Sequence, residues 1–133
     1  MAGPPFVDTN VLLYLLSADS AKADRAEALL AGRVVVSVQV LNEFASVARR
    51  KLRLPWPEVT QALADIRRFC DVRPLTVATH DLGLALAQRH QLDLYDAMIA
   101  AAALEAGCTI LASEDFTTGQ RLEGCLTIRN PFA

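Results

Sequence analysis

The fold class of this chain follows from the stretch DAMIAAAALEAGCTILA at residues 96–112. After Asp96, its first half is apolar on every side of a helical wheel, which is typical of a helix buried inside a domain. Gly107 is placed to end that helix. Residues 109–112 follow as a short apolar run without polar alternation. Such a run is expected of a strand in a parallel sheet whose two faces are both covered. The stretch therefore predicts a helix packed on a buried parallel sheet.

Short apolar runs and longer helical patterns alternate along the rest of the chain. We predict strands at residues 5–8, 34–38, 72–77, 109–112 and 126–129. We predict helices at residues 10–17, 21–31, from 40 onward, and at 57–69, 80–90 and 94–106. This alternation favours an α/β fold with a central, mostly parallel sheet of four to five strands flanked by helices. With 133 residues and no linker or repeat, the chain is predicted to be one domain, residues 1–133.

Neither a membrane span nor a secretory signal is expected. The longest apolar run, residues 97–104, is far shorter than the roughly 20 residues that cross a bilayer. Residues 1–5 contain no basic residue ahead of an apolar stretch, as a signal peptide would require. The expected location is therefore cytoplasmic.

The three cysteines, Cys70, Cys108 and Cys125, are odd in number and far apart. A disulfide framework or a zinc site would need paired or closer spacing. We therefore expect buried free thiols in a reducing compartment.

Two acidic residues lie at or just beyond the carboxyl ends of predicted core strands. Asp8 ends the first strand, and Asp115 follows the fourth. Ligands of open parallel sheets bind beyond the carboxyl ends of the strands, so both carboxylates are candidate site residues. Each also has an ordinary interpretation, because Asp8 can cap the next helix and Asp115 can lie in a surface turn. However, Asp8, Thr9 and Asn10 are three capping-type residues in a row, whereas a helix needs only one cap.

Two further acids lie near the beginnings of predicted helices. Glu43 flanks the apolar stripe of the third helix, where an acid also interacts favourably with the helix dipole. Asp96 opens the apolar helix, where a charge is costly unless it is paired or bound to a metal ion. The alternative for Asp96 is a capping box with Asp93 as the N-cap residue, and both interpretations stay open at this point.

Together the four acids indicate a metal site. Three of them fall where segments enter or leave the same edge of a parallel sheet. Clustered carboxylates cannot all remain ionised without a compensating cation. Mg²⁺ or Mn²⁺ suits a ligand set made of carboxylate oxygens, and such a site can support an in-line phosphoryl displacement.

The net charge of −2 at first argues against a nucleic-acid partner, because lysine and arginine drive binding to phosphate backbones. If the four carboxylates are set aside as metal ligands, the charge of the remainder is positive. Basic residues also cluster along the chain, at Arg49, Arg50, Lys51 and Arg53 and at Arg67-Arg68. The clusters permit an RNA substrate, although a basic run on a helix is usually only a solvated face.

Four segments of the chain together resemble the PIN-domain nucleases, and among them the VapC-type toxins of bacterial toxin–antitoxin pairs. They are VDTNVLLY at 7–14, SVQVLNEF at 37–44, YDAMIAAA at 95–102 and LASEDF at 111–116. The segments have the order and register of that family. The resemblance extends from about residue 6 to residue 129, nearly the whole chain.

The resemblance implies a PIN-like three-layer sandwich and an acidic Mg²⁺ site, with Mn²⁺ as a possible substitute. It assigns catalytic metal ligands to Asp8, Glu43, Asp96 and Asp115, with Glu114 as the neighbouring alternative to the last. Asn10 and Ser113 match polar positions that support the site or contact substrate.

The activity implied by the resemblance is Mg²⁺-dependent endoribonuclease cleavage, commonly of tRNA or ribosomal RNA. The protein would be the toxin of a type II toxin–antitoxin system. The resemblance further implies a homodimer that is neutralised by a cognate antitoxin protein, whose C-terminal tail covers the pocket.

Three other protein classes fit the sequence less well. A dehalogenase-type phosphatase needs a second acid two residues after Asp8, where this chain has Asn10. A receiver domain needs a lysine late in the chain, whereas the two lysines are Lys22 and Lys51. The strongest rival is a catalytically inactive PIN scaffold that binds RNA or protein, and acids at all four positions argue against it.

Overall fold

In the computed structural model, which describes residues 3–133, short strands form one six-stranded sheet. The strands are β1 (Phe6–Val7), β2 (Val34–Ser37), β3 (Cys70–Arg73), β4 (Ile110–Ala112), β5 (Arg121–Leu122) and β6 (Leu126–Arg129). They lie in the order β3-β2-β1-β4-β6-β5, and all neighbours are parallel except β5 and β6. The predicted α/β class and mostly parallel sheet are confirmed. Met1 and Ala2, which the signal-peptide expectation included, lie outside the described residues.

Helices connect the strands and flank the sheet. They are α1 (Thr9–Leu13), α2 (Ser20–Leu30), α3 (Val38–Arg50), α4 (Trp56–Phe69), α5 (Val77–His90) and α6 (Leu94–Glu105), and a 3₁₀ turn (Tyr14–Leu16) follows α1. Within residues 3–133, no helix combines the length and the apolar character needed to cross a membrane.

Helix α6 is the buried helix that the sequence predicted. Every residue from 97 to 103 is buried, and the helix belongs to the same core as Phe6, Phe44 and Leu111. Burial of each large apolar side chain contributes about 1.5–3 kcal/mol. Gly107 ends the helix with a φ of 75°, and the amide of Cys108 donates to the carbonyl of Ala103 at 3.0 Å. This pattern is a Schellman motif, in which glycine tolerates the left-handed backbone without strain.

Side-chain caps begin α1 and α3 immediately after neighbouring strands. Asp8 follows β1 and accepts a hydrogen bond from the amide of Thr9. Ser37 ends β2 and accepts one from the amide of Val40 at 3.3 Å. Because β1 and β2 are parallel neighbours, both helices start at the same edge of the sheet. The caps therefore bring the first turns of α1 and α3 to the place where ligands of such sheets bind.

The third strand was predicted in the wrong place. Residues 72–77 were expected to be extended, whereas β3 is Cys70–Arg73 and α5 begins at Val77 rather than His80. Pro74 has no N–H group with which to continue a ladder. Thr76 and Thr79 then form a capping box that starts the helix. These local interactions override the β-branched character of the segment.

Two features near the C-terminus also differ from expectation. Strand β5 was not predicted, because two residues are too few to show a periodic pattern. Cys70 and Cys108 are buried free thiols as expected, but Cys125 is exposed. Cys125 lies in the tight turn between β5 and β6, next to Gly124, whose φ is 72°, and a hairpin turn has no core to cover its side chains.

Candidate metal centre

Three carboxylates converge at the carboxyl edge of the sheet. Asp8, Asp96 and Asp115 each offer one oxygen, and these oxygens lie within 4.8 Å of one another. Asp8 follows β1, Asp115 lies in the loop after β4, and Asp96 is in the first turn of α6. Strands β1 and β4 are parallel neighbours, so their carboxyl ends meet at one edge. The topology thus accounts for the meeting of residues that are far apart in sequence.

Asp8 is the buried member of this acid cluster, with only 1% of its surface exposed. Its Oδ1 accepts a hydrogen bond from the amide of Thr9 at 2.6 Å, and its Oδ2 accepts one from Ser113 Oγ at 2.6 Å. The two interpretations of Asp8 are therefore compatible, since it caps α1 and also faces the other acids. The pKa of Asp8 is raised from 3.8 to about 7, mainly by burial; these hydrogen bonds lower it, and the charges of Asp115 and Asp96 raise it.

Asp96 is half-buried, and its carboxylate faces the cluster while a neighbour caps the helix. Asp93 is the N-cap residue of α6 and accepts from the amides of Tyr95 and Asp96 at 3.0 and 3.4 Å. Burial raises the pKa of Asp96 from 3.8 to about 6, and the negative charges of Asp115, Asp93 and Glu43 add to the effect. A cation at this point would relieve that repulsion.

Glu43 lies beside the three-carboxylate group rather than within it. It is in the second turn of α3, and its Oε2 accepts a hydrogen bond from Thr9 Oγ1 at 3.0 Å. Burial raises the pKa of Glu43, the Thr9 hydroxyl lowers it, and the charge of Asp115 raises it again. Glu43 is therefore close enough to interact with the cluster electrostatically, and Thr9 is the bridge between it and the loop that holds Asp8.

Asn10 and Ser113 connect the two loops that carry Asp8 and Asp115. Ser113 is fully buried, and its Oγ accepts from the amide of Asp115 at 3.0 Å while donating to Asp8. Asn10 accepts from the amide of Glu114 at 3.2 Å, and its Nδ2 lies 3.4 Å from both Asp8 Oδ2 and Ser113 Oγ. Neutral side chains thus hold the carboxylates in place.

The neighbours Glu114 and Asp115 point to different places. Asp115 is exposed and contributes an oxygen to the cluster. Glu114 Oε2 instead lies 3.9 Å from Lys22 Nζ, and Lys22 also donates to Tyr14 Oη at 3.0 Å. The geometry therefore favours Asp115 over Glu114 as the fourth acid of the site.

Thr9 is a site residue that the sequence analysis did not assign. It is 7% exposed, and its hydroxyl reaches Glu43 on another helix. The available signal was the surplus of capping residues at positions 8–10, because only Asp8 is needed as the cap. The other two, Thr9 and Asn10, turn out to hold acidic or polar groups of the site.

Two arginines of the basic cluster, Arg49 and Arg50 in the last turn of α3, have different surroundings. Arg49 Nη1 donates to the carbonyl of Leu54 at 2.8 Å, and its guanidinium lies 4.6 Å from the centre of the Trp56 ring. Arg49 therefore holds the loop against α4. Arg50 is exposed and lines a groove that begins at Glu43.

The comparisons with known proteins agree with this geometry. The PIN domain family model matches residues 6–117. No curated protein is matched by sequence similarity.

Solved structures share the fold at low sequence identity. VapC20 of Mycobacterium tuberculosis, described as a sarcin–ricin loop cleaving toxin, is 24% identical with a TM-score of 0.70, over 89% of this chain and 96% of that chain. A chain of a toxin–antitoxin complex from Klebsiella pneumoniae is 21% identical with a TM-score of 0.69, over 96% and 97%. A chain of VapBC2 from Rickettsia felis, bound to a DNA fragment from its promoter, is 16% identical with a TM-score of 0.68, over 94% and 96%. At these identities the likeness shows the fold.

Proposed function

The chain belongs to the PIN domain family, and we propose that it is a metal-dependent endoribonuclease, the toxin of a type II toxin–antitoxin pair. The observation that carries this proposal is the meeting of Asp8, Asp96 and Asp115 at the carboxyl edge of the sheet. The burial of Asp8, the partial burial of Asp96 and the mutual repulsion of the three carboxylates are unfavourable for folding in the absence of a cation. Because the carboxylates lie together despite this unfavourable free energy, we infer that the function uses their negative charge, namely to bind a cation.

The donor set suits Mg²⁺, with Mn²⁺ as a substitute. All donors are carboxylate oxygens, which hard divalent cations prefer. Asp8, Asp96 and Asp115 would hold the ion, and Glu43 lies next to them to complete the shell or to serve a second ion. When bound, the cation supplies positive charge against the oxygens of the phosphodiester and favours ionisation of water.

The protein side chains have separate tasks in the hydrolysis. Ser113 and Thr9 fix the two oxygens of Asp8, so the carboxylate is oriented before substrate arrives. Thr9 Oγ1 also fixes Glu43 Oε2 and leaves the other oxygen of Glu43 with lone pairs for a proton or an ion. The raised pKa of Glu43 suits a group that accepts a proton from the attacking water. Asn10 keeps the loop of Asp115 at its distance from Asp8.

An RNA substrate is supported by the family and by one structural relative. VapC20 is described as a toxin that cleaves the sarcin–ricin loop, which is ribosomal RNA. For this chain we propose structured RNA, either tRNA or ribosomal RNA. The exposed Arg50, which lines the same groove as Glu43, provides positive charge on this face of the protein, as a phosphate backbone requires.

A protein partner and self-association are also part of the proposal. An apolar groove of about 460 Å³ lies between the 3₁₀ turn, α2 and α4, lined mainly by Leu15, Leu16, Leu30, Ala62, Ile66 and Phe69. Exposed apolar surfaces of this kind are typical of protein interaction sites. We propose a cognate antitoxin as the partner, since one of the similar structures is described as a toxin–antitoxin complex, and a homodimer as the state in solution.

A single paired assay tests the hydrolysis. Purified protein is incubated with total RNA in Mg²⁺ or in EDTA, and Asp115→Asn is compared with Glu114→Gln. Both variants lose one negative charge from adjacent residues, but only Asp115 lies in the acid cluster. We expect Mg²⁺-dependent cleavage that Asp115→Asn reduces by at least about a hundredfold, as for the loss of one electrostatic group in an active site. Glu114→Gln should keep most of the activity.

Two results would contradict the proposal. Cleavage that persists in EDTA would exclude metal dependence. The absence of cleavage by the wild type, with RNA still bound, would identify the chain as an inactive PIN scaffold.

A further inference from the structure

A second groove, of about 350 Å³, begins at Glu43 and runs along α3 toward the first turn of α6. Most of its lining residues carry a polar group, which they present beside the apolar parts of their side chains and Val47: Gln39, Asn42, Ser46, Arg50 and Tyr95. The acid cluster borders it at one end, because Glu43 lines the groove and the residue after Tyr95 is Asp96. The groove therefore opens next to the acids at which a strand would be cleaved.

We propose that this groove binds the single-stranded RNA next to the cleaved phosphate, with Tyr95 stacking on a base and Arg50 binding a backbone phosphate. The inference rests on the proposed nuclease function and adds to it the residues that hold the substrate. Single-stranded nucleic acids are bound in this way elsewhere, by aromatic platforms combined with basic grooves.

Tyr95 has the exposure that a stacking platform needs. It is 57% exposed although it carries one of the largest side chains of the chain. Its backbone is fixed, because its amide donates to Asp93 Oδ1 at 3.0 Å in the first turn of α6. An exposed ring on a fixed backbone loses little conformational freedom when a base stacks on it. Its position next to Asp96 places that base beside the scissile bond.

Arg50 has a free charge at a suitable distance from the acids. It lies seven residues after Glu43 on α3, which is two helical turns and about 10 Å along the same face. Within residues 3–133, Arg50 takes part in no salt bridge. Its neighbour Arg49 is instead held by Leu54 and Trp56. Of the basic cluster, Arg50 lines the groove, and its charge is free to bind a phosphate there.

The polar side chains that line this groove favour RNA over a protein segment as the molecule that binds there. Asn42, Ser46 and Gln39 offer donors and acceptors to base edges and ribose hydroxyls. Glutamate is depleted at protein interfaces, whereas Glu43 lines one end of this groove. The apolar groove beside α4 has the character that a protein partner would need.

The test measures RNA binding and RNA cleavage separately. The binding probe is a short single-stranded RNA oligonucleotide in which 2-aminopurine replaces one base at a time, in EDTA so that the strand stays intact. Stacking on Tyr95 should quench the fluorescence at one position. Tyr95→Ala should abolish that quenching and weaken binding about fivefold to a hundredfold, while Tyr95→Phe keeps the ring and should retain both.

Arg50→Gln has a different signature and a matched control. Losing one phosphate contact should lower the slope of log K against log salt by about 0.7, with little dependence on RNA sequence. Arg67→Gln makes the same change of charge at an exposed position on α4 and should leave affinity and slope unchanged.

Cleavage assays in Mg²⁺ distinguish this inference from the proposed function. If the wild type cleaves RNA and the Tyr95 and Arg50 variants bind and cleave equally well, the groove proposal is overturned and the nuclease stands. If the wild type does not cleave but shows quenching that depends on Tyr95, the groove is supported and the nuclease is overturned. If the variants instead weaken self-association in light scattering without changing RNA binding, the groove is a protein contact and the proposal is wrong.

Discussion

Replacing Asp8 by asparagine should make the metal-free protein more stable at neutral pH, even though Asp8 is a buried, hydrogen-bonded residue. Burial raises the pKa of Asp8 from 3.8 to about 7, and the side chain is 1% exposed. Such a shift corresponds to a cost on the order of 4 kcal/mol for the ionised carboxylate in the folded state. Asparagine has nearly the same shape, so it removes the charge and can still cap α1.

The direction in which stability changes with pH depends on whether the folded or the unfolded state holds the proton on Asp8. Between about pH 4 and pH 7 the folded state keeps a proton on Asp8 that the unfolded state has released. The free energy of unfolding of the wild type therefore falls as pH rises through this window, and the loss is complete above the folded pKa. Asp8→Asn has no such dependence at this position. It disturbs the bond from Ser113, which costs about 1 kcal/mol.

Urea denaturation followed by circular dichroism, in EDTA, measures the difference. We expect Asp8→Asn to be less stable than the wild type by about 1 kcal/mol near pH 4, and more stable by about 3 kcal/mol near pH 8. Adding Mn²⁺ at about 100 times its Kd should return about 2.7 kcal/mol to the wild type and little to the variant. Asp24→Asn, an exposed change on α2 outside the cluster, is the control and should show neither effect. A variant that is destabilised equally at both pH values would refute the reasoning.

Two other substitutions test the site and the packing around it. Thr9→Val removes the hydroxyl that donates a hydrogen bond to Glu43, and kcat should fall about tenfold. Because this hydrogen bond lowers the pKa of Glu43, the acid limb of the pH–rate profile should also move to higher pH. Thr9→Ser keeps the hydroxyl and should restore both kcat and the profile. In Gly83→Ala the new Cβ would lie 2.4 Å from Met98 Sδ and 3.3 Å from Met98 Cα. The cost of this overpacking exceeds the gain in helix propensity, so the variant should be destabilised by about 1 kcal/mol in thermal or urea unfolding. Gly32→Ala, where the nearest atom is a carbonyl oxygen at 3.8 Å, should be near neutral, and equal effects of the two glycine changes would contradict the packing argument.

The parts of the fold that the sequence predicted are those with a strong hydrophobic pattern. Helix α6 is buried from residue 97 to residue 103 and strand β4 is mostly buried, so both consist mainly of apolar residues, and Gly107 follows the helix. Strand β3 is the edge strand next to β2 and is only partly buried. Its pattern was therefore weak, and Pro74 and the Thr76 cap decided where it ended. Strand β5 has two residues, for which no periodicity exists.

The acids of the site could be predicted because the topology of a parallel sheet brings strand ends together. Asp8 and Asp115 were inferred from that rule, and the resemblance to PIN domains, which the family match confirms, added the register for Glu43 and Asp96. The sequence could not predict contacts that depend on side-chain direction. The separation of Glu114, which points to Lys22, from Asp115 is one such contact, and the bond between Thr9 and Glu43 is another.

The choice of neutral groups around the acids connects stability with metal binding. A lysine or arginine bound to Asp8 would lower its pKa and stabilise the metal-free fold, but it would also compete with a cation for the same oxygens. Thr9, Asn10 and Ser113 orient the carboxylates without supplying a charge. The nearby amine of Lys22 is directed to Glu114, at 3.9 Å, and to Tyr14. The repulsion between the acids therefore stays unrelieved in the metal-free protein, and its relief becomes part of the free energy of metal binding. On this argument the instability expected of the metal-free wild type near pH 8 and its affinity for a divalent ion have the same origin. A variant that is more stable without metal should therefore bind the divalent ion more weakly.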